Sequence, residues 1–126
     1  HNNLATYEAV SAWNGPLAVL VDGNTASAAE LFAATLKDSG RATLIGSRSY
    51  GSGCGYTDGG IPITLKRSGV QLKVPDCVRL RADGSNEVAG IVPDIAIGWQ
   101  RGDAAAARAT RATAALADWA TSNFKR

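Results

Sequence analysis

Residues 17–46 read as strand, helix, strand, and few folds accept that order. Leu17-Ala18-Val19-Leu20-Val21 is an unbroken apolar run closed by Asp22-Gly23-Asn24. Its length and turn-forming boundaries predict a strand buried on both faces. Helix formers dominate from Thr25 to Lys37, and Gly40 supplies a stop. Arg41-Ala42-Thr43-Leu44-Ile45-Gly46 predicts a second short strand. A right-handed crossover between parallel strands is the usual solution for this order, so the expected class is α/β.

The rest of the chain fits one domain: 126 residues and 13.0 kDa, with 45% apolar and 19% charged residues, which supports a packed core rather than disorder. That core must use small side chains, because only 6% of residues are aromatic, Met is absent and Ala occurs 23 times. The net charge is +2 and the Lys and Arg residues are scattered, which argues against nucleic acid as a partner. No apolar run approaches the ~18 residues needed to cross a bilayer. Residues 1–15 read as an arm or linker, with Leu4, Tyr7, Val10 and Trp13 three apart. Gly46, Gly51, Gly53, Gly55, Gly59 and Gly60 mark a loop that turns sharply or approaches something closely. Ile61–Leu65 and Val70–Val74 flank Lys66-Arg67-Ser68-Gly69 and predict a β-hairpin, which Val78–Arg81 could extend. Pro93 confines Gly90–Ile97 to an edge strand or loop. An Ala-rich helix is expected from Asp103, as N-cap, to about Ser122.

Cys54 and Cys77 fit no zinc pattern in a chain whose one His is His1, and no metal or cofactor is expected. They are either two buried thiols or a disulfide. A disulfide would close a loop of about 24 residues, contribute on the order of 3 kcal/mol and imply an oxidising compartment. The Gly-rich loop lacks the Lys-Ser/Thr ending of a phosphate-binding loop. Tyr56, Thr57 and Asp58 within it are either groove-lining or solvated.

Ser27 sits where the first strand, its turn and the helix start meet. Unpaired N–H groups there favour developing negative charge. A hydroxyl attacking a carbonyl needs such a place, with the N–H of Ala28 as oxyanion donor. By local chemistry Ser27-Ala28-Ala29-Glu30 reads first as a capping box, in which the hydroxyl serves only the helix. Thr25 could cap instead and release Ser27.

The run Pro16 to Glu30, with Asp22-Gly23-Asn24-Thr25-Ala26-Ser27-Ala28-Ala29-Glu30, resembles the nucleophile segment of the C-terminal processing (tail-specific) serine peptidase family. The resemblance continues through Leu36–Gly46 and Ser49-Tyr50-Gly51 to Gly90-Ile91-Val92-Pro93-Asp94-Ile95, which makes residues 16–97 the matching core and 98–126 a C-terminal helix. It implies a partial ClpP/crotonase-like ββα domain with Ser27 as nucleophile. Many members carry a Lys base 25 positions later, where this chain has Ser52. A serine hydroxyl is no base near neutral pH, so a Ser–Lys dyad is not expected. Lys37, Lys66 and Lys73 have no motif support and read as surface residues. Glu87, three residues before Gly90, is similar to the tricorn-like branch, where a Glu helps to orient a His base; its plainer reading is a surface turn residue. Asp94 reads as structural. The matching His lies upstream of the Ser in that branch, and terminal His1 does not suit the role. The expected function is therefore a serine endopeptidase acting on peptide or protein substrates. Its base would come from an upstream part of the same polypeptide, and this segment would be inactive alone. The resemblance implies a periplasmic or secreted location. The alternative is an inactive pseudo-peptidase that binds a peptide or small ligand.

Overall fold

The computed structural model describes residues 13–99 and 102–124. The alternation of apolar runs and turns gives a three-stranded parallel sheet in the order β1-β2-β5, built from β1 (Ala18–Val21), β2 (Thr43–Gly46) and β5 (Ile95–Ala96). The helix α1 (Ala28–Asp38) makes the crossover from β1 to β2. It ends as expected, with Ser39 as C-cap and Gly40 at φ +66°. The sheet and α1 meet through a small cluster of Val21, Ala33, Ala34, Leu44 and Ile91, flanked by Val19 and Ala42. Short side chains let the layers approach closely, in keeping with the Ala-rich composition. Within the sheet the strands also lie close: a Cβ at Gly46 would stand 1.9 Å from the carbonyl oxygen of Val21 on the neighbouring strand.

The first strand is not buried on both faces. Leu20 is 51% exposed, because α1 covers one face of the sheet and the other is only partly covered by the helix α2 (Ala105–Asn123). This helix begins two residues after the expected cap. Asp103 is ion-paired with Arg111, and Ala104 takes the N-cap position. No residue of α2 is fully buried. No described helix is long and apolar enough to cross a membrane.

Pro93 precedes β5, which pairs with β2 along one side only, as an edge strand. The Asp94 carboxylate accepts the Leu44 N–H at 2.8 Å and the Lys37 ammonium at 2.6 Å. Lys37 also donates to the Val92 carbonyl at 2.9 Å, so it is a clamp rather than a free surface Lys. The hairpin forms from β3 (Ile63–Thr64) and β4 (Gln71–Leu72), paired antiparallel. Val78–Arg81 does not extend it; Leu80 makes one isolated bridge to Asn86. With Ile63 opposite Leu72, alternation puts Ile61, Ile63, Leu65, Val70, Leu72 and Val74 on one face of the hairpin. All six are 46–86% exposed. Cys54 and Cys77 are joined in a disulfide. Residues 1–12, with His1, Leu4, Tyr7 and Val10, lie outside the described residues.

Candidate active site at the first strand-to-helix corner

The corner after β1 is tightly organised. The Asp22 carboxylate accepts the N–H groups of Asn24 and Thr25, at 2.9 and 3.1 Å. The Asp22 N–H donates to the Thr25 hydroxyl at 3.0 Å, so Thr25 serves the turn and not the helix. Ser27 follows as N-cap of α1 with φ 54° and ψ −119°. It is the one non-glycine residue with positive φ among those described. Such a conformation costs roughly 1–3 kcal/mol and persists only where its surroundings enforce it. Ser27 and Glu30 stand as a capping-box pair, but the hydroxyl completes no side-chain cap hydrogen bond. The carboxylate does more: Glu30 Oε2 accepts the Ser27 N–H at 3.0 Å. Ser27 itself is exposed. The N–H of neighbouring Ala28 makes no hydrogen bond to the described residues, which leaves it available as an anion donor.

Glu30 organises the site from below. Its side chain is fully buried on the same helix face as Ala33 and Ala34. Oε1 accepts the Ser49 hydroxyl at 2.5 Å and the Gly51 N–H at 2.6 Å. Oε2 accepts the Ser52 N–H at 3.0 Å and the Ser52 hydroxyl at 2.5 Å, besides the N–H of Ser27. Burial raises the pKa of this carboxyl, but the hydroxyls of Ser49 and Ser52 and the N–H groups of Gly51 and Ser52 outweigh it and bring the value down to about 2. Sequence reasoning saw Glu30 only as half of a cap. The missed signal was periodicity: Glu30, Ala33 and Ala34 are spaced i, i+3, i+4 on the core face, where a carboxylate must be hydrogen-bonded.

Ser52 occupies the position 25 residues after Ser27 and faces its backbone, with Oγ 2.6 Å from the Ser27 nitrogen. The Gly90–Asp94 loop is tied to the same cluster, because the Ile91 N–H donates to Ser49 Oγ at 2.7 Å. Gly51 packs on the start of this loop and the turn before it; a Cβ there would meet the Gly90 nitrogen at 3.0 Å and the Val88 carbonyl oxygen at 2.6 Å. Glu87 lies in a short 3-10 turn, Glu87–Ala89, just ahead of it. It is buried, at 1% exposure, and paired through Oε2 with Arg79 at 2.9 Å. Its Oε1 is buried without a partner among the described residues. The structure thus brings Ser27, Ala28, Glu30 and Ser52 together, and Glu87 stands beside the loop that packs on Gly51. Thr57 is bonded to Asp76 through both N–H and hydroxyl, and Tyr56 lies under the Lys73 ammonium. The Asp58 side chain lies outside what the structure describes. A cleft of about 360 Å³ opens at the carboxyl ends of β1 and β2, lined by Leu20, Thr25, Ile45, Ile97 and Trp99 among others.

In α/β hydrolytic folds a sharp turn from a parallel strand into a helix can present a nucleophile, and the corner at Ser27 has that shape. The chain belongs to peptidase family S41, whose sequence profile matches residues 1–97. It is similar to the carboxy-terminal-processing protease of Bartonella bacilliformis, with 36% identity over 83 residues, covering 65% of this chain and 18% of that protein. The carboxyl-terminal-processing protease of Picosynechococcus sp. is 50% identical over 40 residues, 32% of this chain and 10% of that protein. The chain thus spans about a fifth or less of the length of these relatives. Among solved structures, mature CPAF shares the fold, with a TM-score of 0.57 at 24% identity over 82% of this chain and 19% of that one.

Proposed function

We propose that this chain is the C-terminal part of a serine peptidase catalytic domain, of the ClpP/crotonase-like type and the tricorn-like branch of its family. The single observation that carries the reading is the Ser27 corner, with its positive φ and exposed side chain. In the reaction, Ser27 Oγ attacks the carbonyl carbon of a peptide bond, and its proton passes to a His on a part of the polypeptide outside residues 1–126. The carbonyl oxygen becomes an oxyanion facing the Ala28 N–H. The tetrahedral species collapses, the amine leaves with the proton from the His, and water hydrolyses the acyl-enzyme. Glu87 is the carboxylate that orients the base; its unpartnered Oε1 supports this role, since a buried oxygen without a donor calls for one. The substrate is a peptide or protein, engaged near its C-terminus. The apolar floor of the cleft beside Thr25 suits one of its side chains. The disulfide supports a periplasmic or secreted location.

The test is fluorophosphonate labelling of the complete polypeptide that contains this segment. Labelling is expected, and Ser27→Ala should abolish it. An intact, folded polypeptide that stays unlabelled, or one labelled equally after Ser27→Ala, would turn the reading to a pseudo-peptidase that binds a peptide or small ligand.

A further inference from the structure

The strain at Ser27 raises the question of what holds it. A left-handed serine relaxes unless its backbone is gripped on more than one side. Its N–H is gripped twice, by Glu30 Oε2 at 3.0 Å and by Ser52 Oγ at 2.6 Å. The second contact has a defined polarity. An ionised carboxylate only accepts, so the Ser52 proton must point at Glu30 Oε2, 2.5 Å away. That turns a lone pair of the hydroxyl towards the Ser27 N–H. Ser52 is itself fixed, by its own N–H on Glu30 and by Gly51, which is packed against the Val88 carbonyl.

We infer that Ser52 is a positioning residue: its hydroxyl, oriented by Glu30, holds the Ser27 amide and so keeps the nucleophile in its strained, outward-facing conformation. The inference rests on the reading of Ser27 as nucleophile for its catalytic consequence, but not for the contact itself. The hydroxyl gives its proton to the carboxylate and its lone pair to an amide, so it acts on the reacting oxygen only through the backbone.

The experiment uses the complete polypeptide as wild type, Ser52→Ala, Ser52→Thr and Ser52→Cys. Fluorophosphonate labelling is followed to saturation, and amide hydrogen exchange at Ser27 is measured on the same proteins. Ser52→Ala should lower the limiting labelling rate about 10- to 100-fold, the range that small misplacement of a reacting group produces, and leave the half-saturating probe concentration unchanged. Ser27 amide exchange should speed up by about 10-fold or more, the effect of losing about one hydrogen bond's worth of protection. Ser52→Thr, which keeps the hydroxyl, should behave as wild type in both measurements. Ser52→Cys keeps the size but weakens the acceptor, and should show the same fall if the Ala variant does not fold. Should the wild type not label at all, the peptidase reading fails, and the exchange measurement alone decides the role of Ser52. An unchanged Ser27 exchange rate in Ser52→Ala and Ser52→Cys overturns the inference. So does an unchanged limiting rate in a protein that labels.

Discussion

At Glu30 a buried carboxylate is kept charged by five hydrogen-bond donors, and none of them is a cation. Its folded pKa, about 2, lies below the 4.5 of an ordinary Glu carboxyl. The group therefore stabilises the fold fully above about pH 5. That stability, of order 3 kcal/mol, is lost progressively as the pH falls from about 5 to 2. Glu30→Gln should remove this part of the pH dependence and cost about 3 kcal/mol at neutral pH, since an amide cannot accept all five donors. Denaturant unfolding of both proteins between pH 3 and 7 checks this: the curves should converge towards acid. A constant gap would contradict it. The sequence showed the corner but not its support. Ser27-Ala28-Ala29-Glu30 spells a cap and a nucleophile with the same letters, and the residues that hold the corner, Ser49, Gly51 and Ser52, are about twenty residues away. Glu87 was open for the same reason. Its burial depends on Arg79 and on a loop packed across Gly51, contacts that no local pattern encodes.

At the level of the elements, β1, α1 and β2 were legible because each is announced locally: an apolar run, a helix-forming stretch with a Gly stop, and a second run. The hairpin followed from its alternation and its Gly-containing turn. What failed was context. The first strand read as doubly buried because its residues are apolar, yet Leu20 faces a side that α2 covers only in part. Asp103 read as a cap because it precedes a helical run, yet its carboxylate is taken by Arg111. Two contacts hold the sheet in register. At Gly46 the backbone passes so close to Val21 that Gly46→Ala should cost about 3 kcal/mol or more, through the clash and through its φ of +141°. Equilibrium unfolding in urea measures this, and a loss below about 1 kcal/mol would mean that the strands separate readily. Asp94 joins β2, β5 and α1 through Leu44 and Lys37. Asp94→Ala should cost about 2 kcal/mol and speed amide exchange at Leu44 before it does so at Val21.

On the scale of the whole molecule, the disulfide ties the Gly-rich loop that carries Ser52 to the segment that leads to Arg79 and Glu87. Reduction should add two daltons and lower stability by roughly 3 kcal/mol in the chain-entropy picture. Mass spectrometry and unfolding with and without reductant report both, and an unchanged mass would show free thiols. The hairpin carries a different message. Six aliphatic side chains crowd one side of a ribbon whose outer strand edges pair with no other described strand. Water tolerates such a strip poorly, and in a solution of this segment by itself the nearest shelter is an identical ribbon on the next molecule. Clumping at rising concentration, relieved by Ile63→Lys together with Leu72→Glu, would make turbidity a simple gauge of how far the ribbon depends on company.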